Sequence, residues 1–151
     1  MNKYNLMAAQ LEALSESSRN YIPLLSNASA LIYENMEDLN WAGFYLVKDG
    51  ELLLGPFQGK VACVRIAKGK GVCGTAYETD QTQRVEDVHQ FPGHIACDSA
   101  SNSEIVIPIH SNGEVVAVLD IDSPSLNRFS LEDQEGLEAF VKKLEGLLEW
   151  E

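Results

Sequence analysis

Basic residues are scarce in this chain of 151 residues. Eleven lysines and arginines stand against 23 aspartates and glutamates, so the formal net charge is −12. We find no cluster of basic residues that would concentrate positive charge. Because phosphate backbones and anionic lipid headgroups are bound through positive charge, the composition argues against nucleic acid and membrane surfaces as partners.

Long apolar runs are also lacking. No stretch approaches the roughly 18 consecutive apolar residues that a membrane span needs. The first residues, "MNKYNLMAAQLEAL", carry a charge and polar breaks where a signal peptide would have a continuous apolar core. We therefore expect a cytoplasmic protein, whose length suits one domain with a sizeable core.

Cysteines are few and widely spaced. Cys63, Cys73 and Cys97 are separated by 10 and 24 positions, which matches neither a secreted disulfide framework nor the close cysteine pairs of zinc sites. A zinc site that adds His89 or His94 would still lack such a pair, so we expect no metal. In a reducing compartment the thiols are then inert or redox-active.

Apolar periodicity predicts helices at both ends of the chain. A first helix is expected within residues 2–18 and a second from about Pro23, a residue suited to a first turn. Ser130 is a candidate N-cap for a closing helix in "SLEDQEGLEAFVKKLEGLLEW". The first apolar stripe consists of Leu6, Met7, Leu11 and Leu14.

Between these helices the sequence predicts an antiparallel sheet. Asp49-Gly50 and Asn112-Gly113 each separate two apolar runs and favour tight hairpin turns. "VACVRI" is predicted as a further strand and "GVCGTAYET" as a short helix, whereas residues 86–103 form a long irregular loop. Residues 1–151 therefore predict a single α+β domain, with a central antiparallel sheet flanked by N-terminal helices and a C-terminal helix.

Two aspartates interrupt an otherwise apolar strand. Asp120 and Asp122 point to the same face of that strand. Because a buried carboxylate is costly unless paired, either the strand frays into a solvated turn before Pro124 or the aspartates form a pocket floor. Glu104 opens the neighbouring strand and either joins them or is an exposed strand end. Clustered carboxylates raise one pKa and keep a proton available near neutral pH.

Two aromatic residues flank a glycine on the first strand. Trp41, Gly43 and Tyr45 share one face of it. They form either a core stripe or the walls of a ligand pocket in which Gly43 leaves room between the rings. A small polar ligand with one apolar or cationic end would suit that pocket.

The three cysteines differ in local setting. Cys73 lies at the start of the predicted short helix, where backbone N–H groups lower a thiol pKa. Cys63 lies in a predicted strand and is expected to be more buried. Cys97 lies in the polar loop "HIACDSASNSE", where a reactive thiol has access. The local setting alone favours Cys73 as the low-pKa thiol.

Along its whole length the chain resembles the free methionine-(R)-sulfoxide reductases, a family built on a GAF domain. The resemblance rests on "NWAGFYL", "GPFQGKVACVRIAKGKGVCGTA", "FPGHIACDSASNSEIVIPI" and "VLDIDSP", and on the spacing of the three cysteines. It implies a homodimeric cytoplasmic enzyme that reduces the R diastereomer of free methionine sulfoxide. It further implies that no metal or organic cofactor is needed and that thioredoxin recycles the enzyme.

The resemblance also implies roles for individual residues. Cys97 would be the attacking thiol and Cys63 the resolving thiol, with Cys73 auxiliary. Acidic side chains would contact the polar groups of the substrate, and aromatic rings would surround its methyl end. These substrate-binding residues are Trp41, Tyr45, Glu104, Asp120 and Asp122. The alternative is a non-catalytic GAF sensor of a small molecule or of redox state, because that fold hosts many unrelated ligands.

Overall fold

Six strands and four α-helices make up residues 2–94 and 100–151, the part of the chain that the computed structural model describes. In chain order they are α1 (Lys3–Leu14), α2 (Tyr21–Asn35), β1 (Trp41–Lys48), β2 (Glu51–Gly59), β3 (Arg65–Ile66), α3 (Gly71–Thr79), β4 (Gln83–Val85), β5 (Ser103–Ser111), β6 (Glu114–Ser123) and α4 (Leu131–Leu147). A single 3-10 turn, Val88–Gln90, lies in the described part of the predicted irregular loop. The α+β class is confirmed.

The strands form one antiparallel sheet in the order β3-β2-β1-β6-β5-β4. Both predicted hairpin turns are present. Asp49 and Gly50 have φ angles of 53° and 78°, and Asn112 and Gly113 have φ angles of 54° and 80°. A type I′ turn requires positive φ at both central residues, which is why these pairs fix the register of β1 with β2 and of β5 with β6.

The predicted strand "VACVRI" is mostly not a strand. Only Arg65–Ile66 pairs with β2, and the side chains of Val61 and Val64 are 87% and 62% exposed. Branched side chains favour a strand where one face of it is buried, but the branched residues of this segment, Val61 and Val64, remain exposed at the sheet edge. Cys63 therefore lies outside the sheet and is half-buried, so the expectation of a buried strand cysteine was wrong.

One face of the sheet packs against α2 and α4, and α1 lies against both helices. In α1 the buried residues are Tyr4, Met7 and Leu11, which recur at i, i+3 and i+7. Leu6 and Leu14, which we expected on this stripe, are about half exposed. Leu6 lies about 100° around the helix from Met7, and Leu14 is the last residue of α1.

The helix boundaries follow the predicted signals. Pro23 lies in the first turn of α2, whose N-cap is Asn20. Ser130 caps α4 in a reciprocal capping box with Asp133. Among the described residues, none of the helices combines the length and apolarity needed to cross a membrane.

The opposite face of the sheet is covered by α3, which contacts β3, β4, β5 and β6. A second, smaller core lies between them. Its side chains on the sheet include Trp41, Tyr45, Val106 and Val118. Polar residues on this face are consequently enclosed between the sheet and α3.

Candidate active site

Two neighbouring strands bring the predicted carboxylates together, next to an aromatic residue on a third. Glu104 on β5 lies opposite Asp122 on β6, which in turn lies opposite Trp41 on β1. Asp120 precedes Asp122 by two positions and therefore shares its face. All three carboxylates are less than a tenth exposed. Since β6 does not fray here and Glu104 is not an exposed strand end, these groups belong to a buried pocket floor.

Helix α3 places Cys73 against this floor. The thiol is free and 4% exposed, and its Sγ lies 3.9 Å from Oε2 of Glu104. Burial raises the pKa of Cys73 well above its ordinary value, and the charges of Asp120, Glu104 and Asp122 raise it further. The expectation of a low-pKa thiol was therefore wrong, because desolvation and negative neighbours outweigh the backbone N–H groups at the start of α3.

Glu104 and Asp120 lie side by side in this buried environment, and both have a raised pKa. Burial is the largest cause of the raised pKa of Glu104, followed by the charges of Asp120 and Asp122. Burial also raises the pKa of Asp120, but hydrogen bonding with Glu104 and Cys73 opposes that rise. Because those contacts stabilise ionised Asp120, we assign the shared proton to Glu104.

Asp120 lines the pocket, and one of its oxygens has no hydrogen-bond partner in the described part of the chain. Among residues 2–94 and 100–151, Oδ1 of Asp120 is a buried side-chain atom that accepts no hydrogen bond. A buried acceptor left unsatisfied costs about 1–3 kcal/mol. A hydrogen-bond donor carried by a bound molecule would offset that cost, so this atom marks a ligand-binding position.

Trp41 and Tyr45 form an aromatic wall that also holds the neighbouring chain segment. Both are nearly fully buried, and their ring centroids are 5.9 Å apart. Nε1 of Trp41 donates to the carbonyl of Lys60 at 3.1 Å, and the hydroxyl of Tyr45 donates to the carbonyl of Cys63 at 2.9 Å. The wall therefore positions the backbone that carries Cys63.

The pocket has a mixed apolar and acidic lining. Five of its residues were predicted as substrate contacts and one as an auxiliary thiol. The sequence pattern gives no sign of Lys70 and Ser101 and points to His94 only as a candidate zinc ligand, because these residues lie in segments that only the chain path brings to the pocket. The lining residues are Trp41, Tyr45, Ala62, Ile66, Lys70, Gly71, Val72, Cys73, His94, Ser101, Glu104, Asp120 and Asp122.

The cysteines differ in oxidation state. Cys63 is disulfide-bonded, and Cys73 is a free thiol. Cys97, the expected nucleophile, lies outside the described residues. Cys63 is thus capable of redox chemistry, while the buried and protonated Cys73 is poorly suited to nucleophilic attack.

Gly43 makes room for a neighbouring strand rather than for a ligand. A Cβ atom at this position would overlap the Cβ of Phe57, lie 2.7 Å from its Cα and lie 2.9 Å from the carbonyl oxygen of Pro56. The register of β1 with β2 shifts at the same place. The close approach of β2 to β1 therefore requires glycine here.

Replacing Gly43 with alanine is expected to destabilise the fold by about 1–3 kcal/mol, because overpacking forces β1 and β2 apart. Denaturant unfolding measures this loss. Gly146→Ala is the matched control, since no atom lies within 4 Å of a Cβ there; in a helix that change is expected to stabilise by up to about 1 kcal/mol. Equal stability of Gly43→Ala and the wild type would contradict the close-approach explanation.

Cys73, Glu104 and Asp120 are also close enough to ligate a metal ion. Each offers one ligand atom, and these atoms lie within 4.8 Å of one another. The same spacing is expected of a carboxyl pair that shares a proton beside a neutral thiol. The hydrogen bonding of Asp120 with both neighbours agrees with the latter arrangement.

A GAF-domain family model matches residues 25–148, so the chain belongs to the GAF-domain family. Free methionine-R-sulfoxide reductase of Escherichia coli is 53% identical over 98% of this chain and 92% of its own length. The corresponding Saccharomyces cerevisiae protein is 48% identical over 94% of this chain and 85% of its own.

A solved structure of free methionine-R-sulfoxide reductase from Neisseria meningitidis, in complex with its substrate, superimposes with a TM-score of 0.90. It is 41% identical and covers 95% of this chain and 86% of that chain. Within the GAF-domain family, this chain therefore belongs to the free methionine-R-sulfoxide reductases.

Proposed function

We propose that the protein reduces free methionine-(R)-sulfoxide to methionine, with residues 1–151 acting as one GAF domain. The observation that carries this proposal is the pocket that buried Glu104 and Asp120 line together with the aromatic wall. Such a pocket offers a proton for the sulfoxide oxygen and apolar contact for a methyl group. The relatives with this name support the choice of substrate.

In the proposed complex, the methyl end of the substrate lies against Trp41 and Tyr45. The substrate ammonium donates to the acidic floor, where the unpartnered Oδ1 of Asp120 provides an acceptor. Lys70 lines the same pocket and is the cation available to the substrate carboxylate among the described lining residues. A residue within a protein has neither charged group, which accounts for a preference for the free amino acid.

The first chemical step is proton-assisted attack on sulfur. Glu104 protonates the sulfoxide oxygen, because an oxygen leaves sulfur poorly until it is protonated. The thiolate of Cys97 attacks the substrate sulfur, a sulfur–sulfur bond forms, and the protonated oxygen leaves as hydroxide. Hydroxide then attacks Sγ of Cys97 and breaks the sulfur–sulfur bond, so that methionine leaves as the thioether and Cys97 becomes a sulfenic acid. Sulfur in the substrate gains two electrons, and Cys97 loses them.

The second step removes the oxygen as water. The thiol of Cys63 condenses with the sulfenic acid of Cys97, giving a disulfide. That Cys63 is disulfide-bonded agrees with its role as the resolving thiol. Cys73 stays protonated beside Glu104 and has an auxiliary role, donating toward the carboxyl group. Thioredoxin, an external dithiol, then reduces the disulfide by exchange.

We further propose that the enzyme acts as a homodimer in the cytoplasm, without a metal or an organic cofactor. All electrons in the scheme pass through cysteine sulfur, and the only coreactant is a dithiol. A reducing compartment supplies that coreactant.

The proposed reaction is tested by incubating the purified protein with free racemic methionine sulfoxide, thioredoxin, thioredoxin reductase and NADPH. We expect NADPH oxidation to stop when about half of the racemate is consumed, because only one configuration at sulfur fits a chiral pocket. Methionine sulfoxide placed inside a peptide serves as the control and should not be reduced. If no NADPH is oxidised, the protein is a ligand-binding GAF domain instead.

A further inference from the structure

Residues 60–70, which we call the basic edge, lie at the sheet edge that β3 forms. They carry four of the eleven basic residues of the chain, whereas residues 52–77 contain no aspartate or glutamate. All four side chains are exposed: Lys60, Arg65, Lys68 and Lys70. The expectation that basic residues are dispersed was therefore wrong for this segment, because uncharged residues separate them in the sequence.

In the described part of the chain, two acidic groups, Glu51 and Glu78, lie beside the basic edge. Arg65 forms an ion pair with Glu51 at 3.4 Å, in which both side chains are more than a third exposed, and Glu78 lies beside Gly69. The ammonium of Lys68 lies 4.7 Å from the centre of the Tyr77 ring. Lys70 also lines the pocket. Outside the pocket, and among the described residues, Lys60, Arg65 and Lys68 thus lie beside two carboxylates, which leaves a local positive surface on a molecule of net charge −12.

Two exposed apolar side chains flank the disulfide-bonded cysteine in this edge. Val61 is 87% exposed and Val64 is 62% exposed, and Cys63 lies between them. The backbone of the segment is fixed by Trp41 and Tyr45 through the carbonyls of Lys60 and Cys63. The valines are therefore presented on an anchored segment next to the sulfur that must be reduced.

We propose that the basic edge is the docking surface for the protein dithiol that reduces the Cys63 disulfide. The partner it fits is a thioredoxin-type donor whose thiol pair is surrounded by apolar and acidic residues. The inference rests on the proposed function, since it needs a disulfide that is reduced in every cycle. Val61 and Val64 supply apolar contact. The cations attract the acidic partner to this edge and not to the rest of this molecule, which is itself acidic.

The docked exchange conserves atoms and electrons. A thiolate of the donor attacks Sγ of Cys63, forms a mixed disulfide and breaks the existing bond, whose other sulfur leaves as a thiolate and takes a proton. The second donor thiol loses its proton and attacks the donor sulfur of the mixed disulfide. Cys63 leaves as a thiolate and takes a proton, and the donor is left with an internal disulfide after giving two electrons.

The test compares a protein dithiol with a small one. Val61→Ser/Val64→Ser and Lys60→Glu/Arg65→Glu are assayed for methionine sulfoxide reduction with thioredoxin and, separately, with dithiothreitol, which needs no docking surface. We expect kcat/KM for thioredoxin to fall about tenfold in each variant while the dithiothreitol-driven rate is unchanged. High ionic strength should lower the wild-type value for thioredoxin and have little effect in the charge-reversal variant.

Matched controls change side chains of the same kind, apolar or basic, on other parts of the surface. Leu14→Ser/Ile22→Ser removes exposed apolar groups from α1 and α2, and Lys3→Glu/Lys142→Glu reverses two exposed charges on α1 and α4. Both should behave as the wild type with either reductant.

Three results would overturn the docking surface. These are an unchanged kcat/KM for thioredoxin, an equal loss with both reductants, and a change of oligomeric state in sedimentation analysis that identifies this edge as an interface between copies of the chain. If the wild type has no activity even with dithiothreitol, the proposed function itself is wrong.

Discussion

Replacing Cys97 with serine is expected to abolish methionine release even in a single turnover with reduced enzyme. A serine hydroxyl is far less nucleophilic toward sulfur than a thiolate and cannot become a sulfenic acid. The residual rate should therefore equal the background rate without enzyme. Single-turnover mixing followed by amino-acid analysis of methionine measures this directly.

The other two cysteines provide the matched controls. Cys63→Ser should release one equivalent of methionine and then stop in the thioredoxin-coupled assay, because the sulfenic acid has no resolving thiol. Cys73→Ser should keep the first turnover, because the Cys73 thiol has a raised pKa and is protonated at neutral pH. A turnover that survives in Cys97→Ser but is lost in Cys73→Ser would reverse the assignment of the nucleophile.

Replacing Glu104 with glutamine is expected to slow the sulfoxide-reducing step by about 10²–10⁴-fold, the range usual for losing a general acid. Glutamine keeps the size and the hydrogen-bonding capacity of the side chain but has no acidic proton to give. The thioredoxin-dependent reduction of the disulfide should be unaffected, because Glu104 takes no part in exchange. Single-turnover rates separate the two steps.

The pH dependence follows from the raised pKa of Glu104. A raised pKa keeps the acid protonated to a higher pH than an ordinary glutamate, and the proton is lost as the pH rises through it. The wild-type rate should therefore decline on the alkaline side, and Glu104→Gln should lack that decline. Glu78→Gln, which changes an exposed acid on α3, the helix that covers the pocket, is the control. A Glu104→Gln enzyme with the wild-type rate and pH profile would remove Glu104 from the mechanism.

Local patterns predicted most of the architecture. Asp49-Gly50 and Asn112-Gly113 turn at positive φ as expected, and Ser130 caps α4. Each turn and each helix cap depends on a few adjacent residues, and those residues have strong conformational preferences of their own. Segment 61–64 lacks such a signal, and its branched side chains predicted a strand that the sheet edge does not form.

The arrangement of the candidate site was less predictable, although the sequence pointed to its acidic and aromatic side chains. Alternation along one strand placed Asp120 and Asp122 on the same face, and the family motifs supplied the substrate class. The sequence left open whether Glu104 is buried and favoured the wrong protonation state for Cys73. Lys70 was missed, since only the path of the chain into α3 brings it to the pocket.

By itself, the sequence determined the order of helices and strands, the hairpin turns and the membership in a family of reductases. Only the tertiary structure decided which carboxyl groups are buried together, that burial raises the pKa of the Cys73 thiol, and that Cys63 lies between exposed valines on a basic edge. These properties depend on desolvation and on charges from residues far apart in the chain. Such effects arise only when α3 covers the sheet and β3 forms its edge.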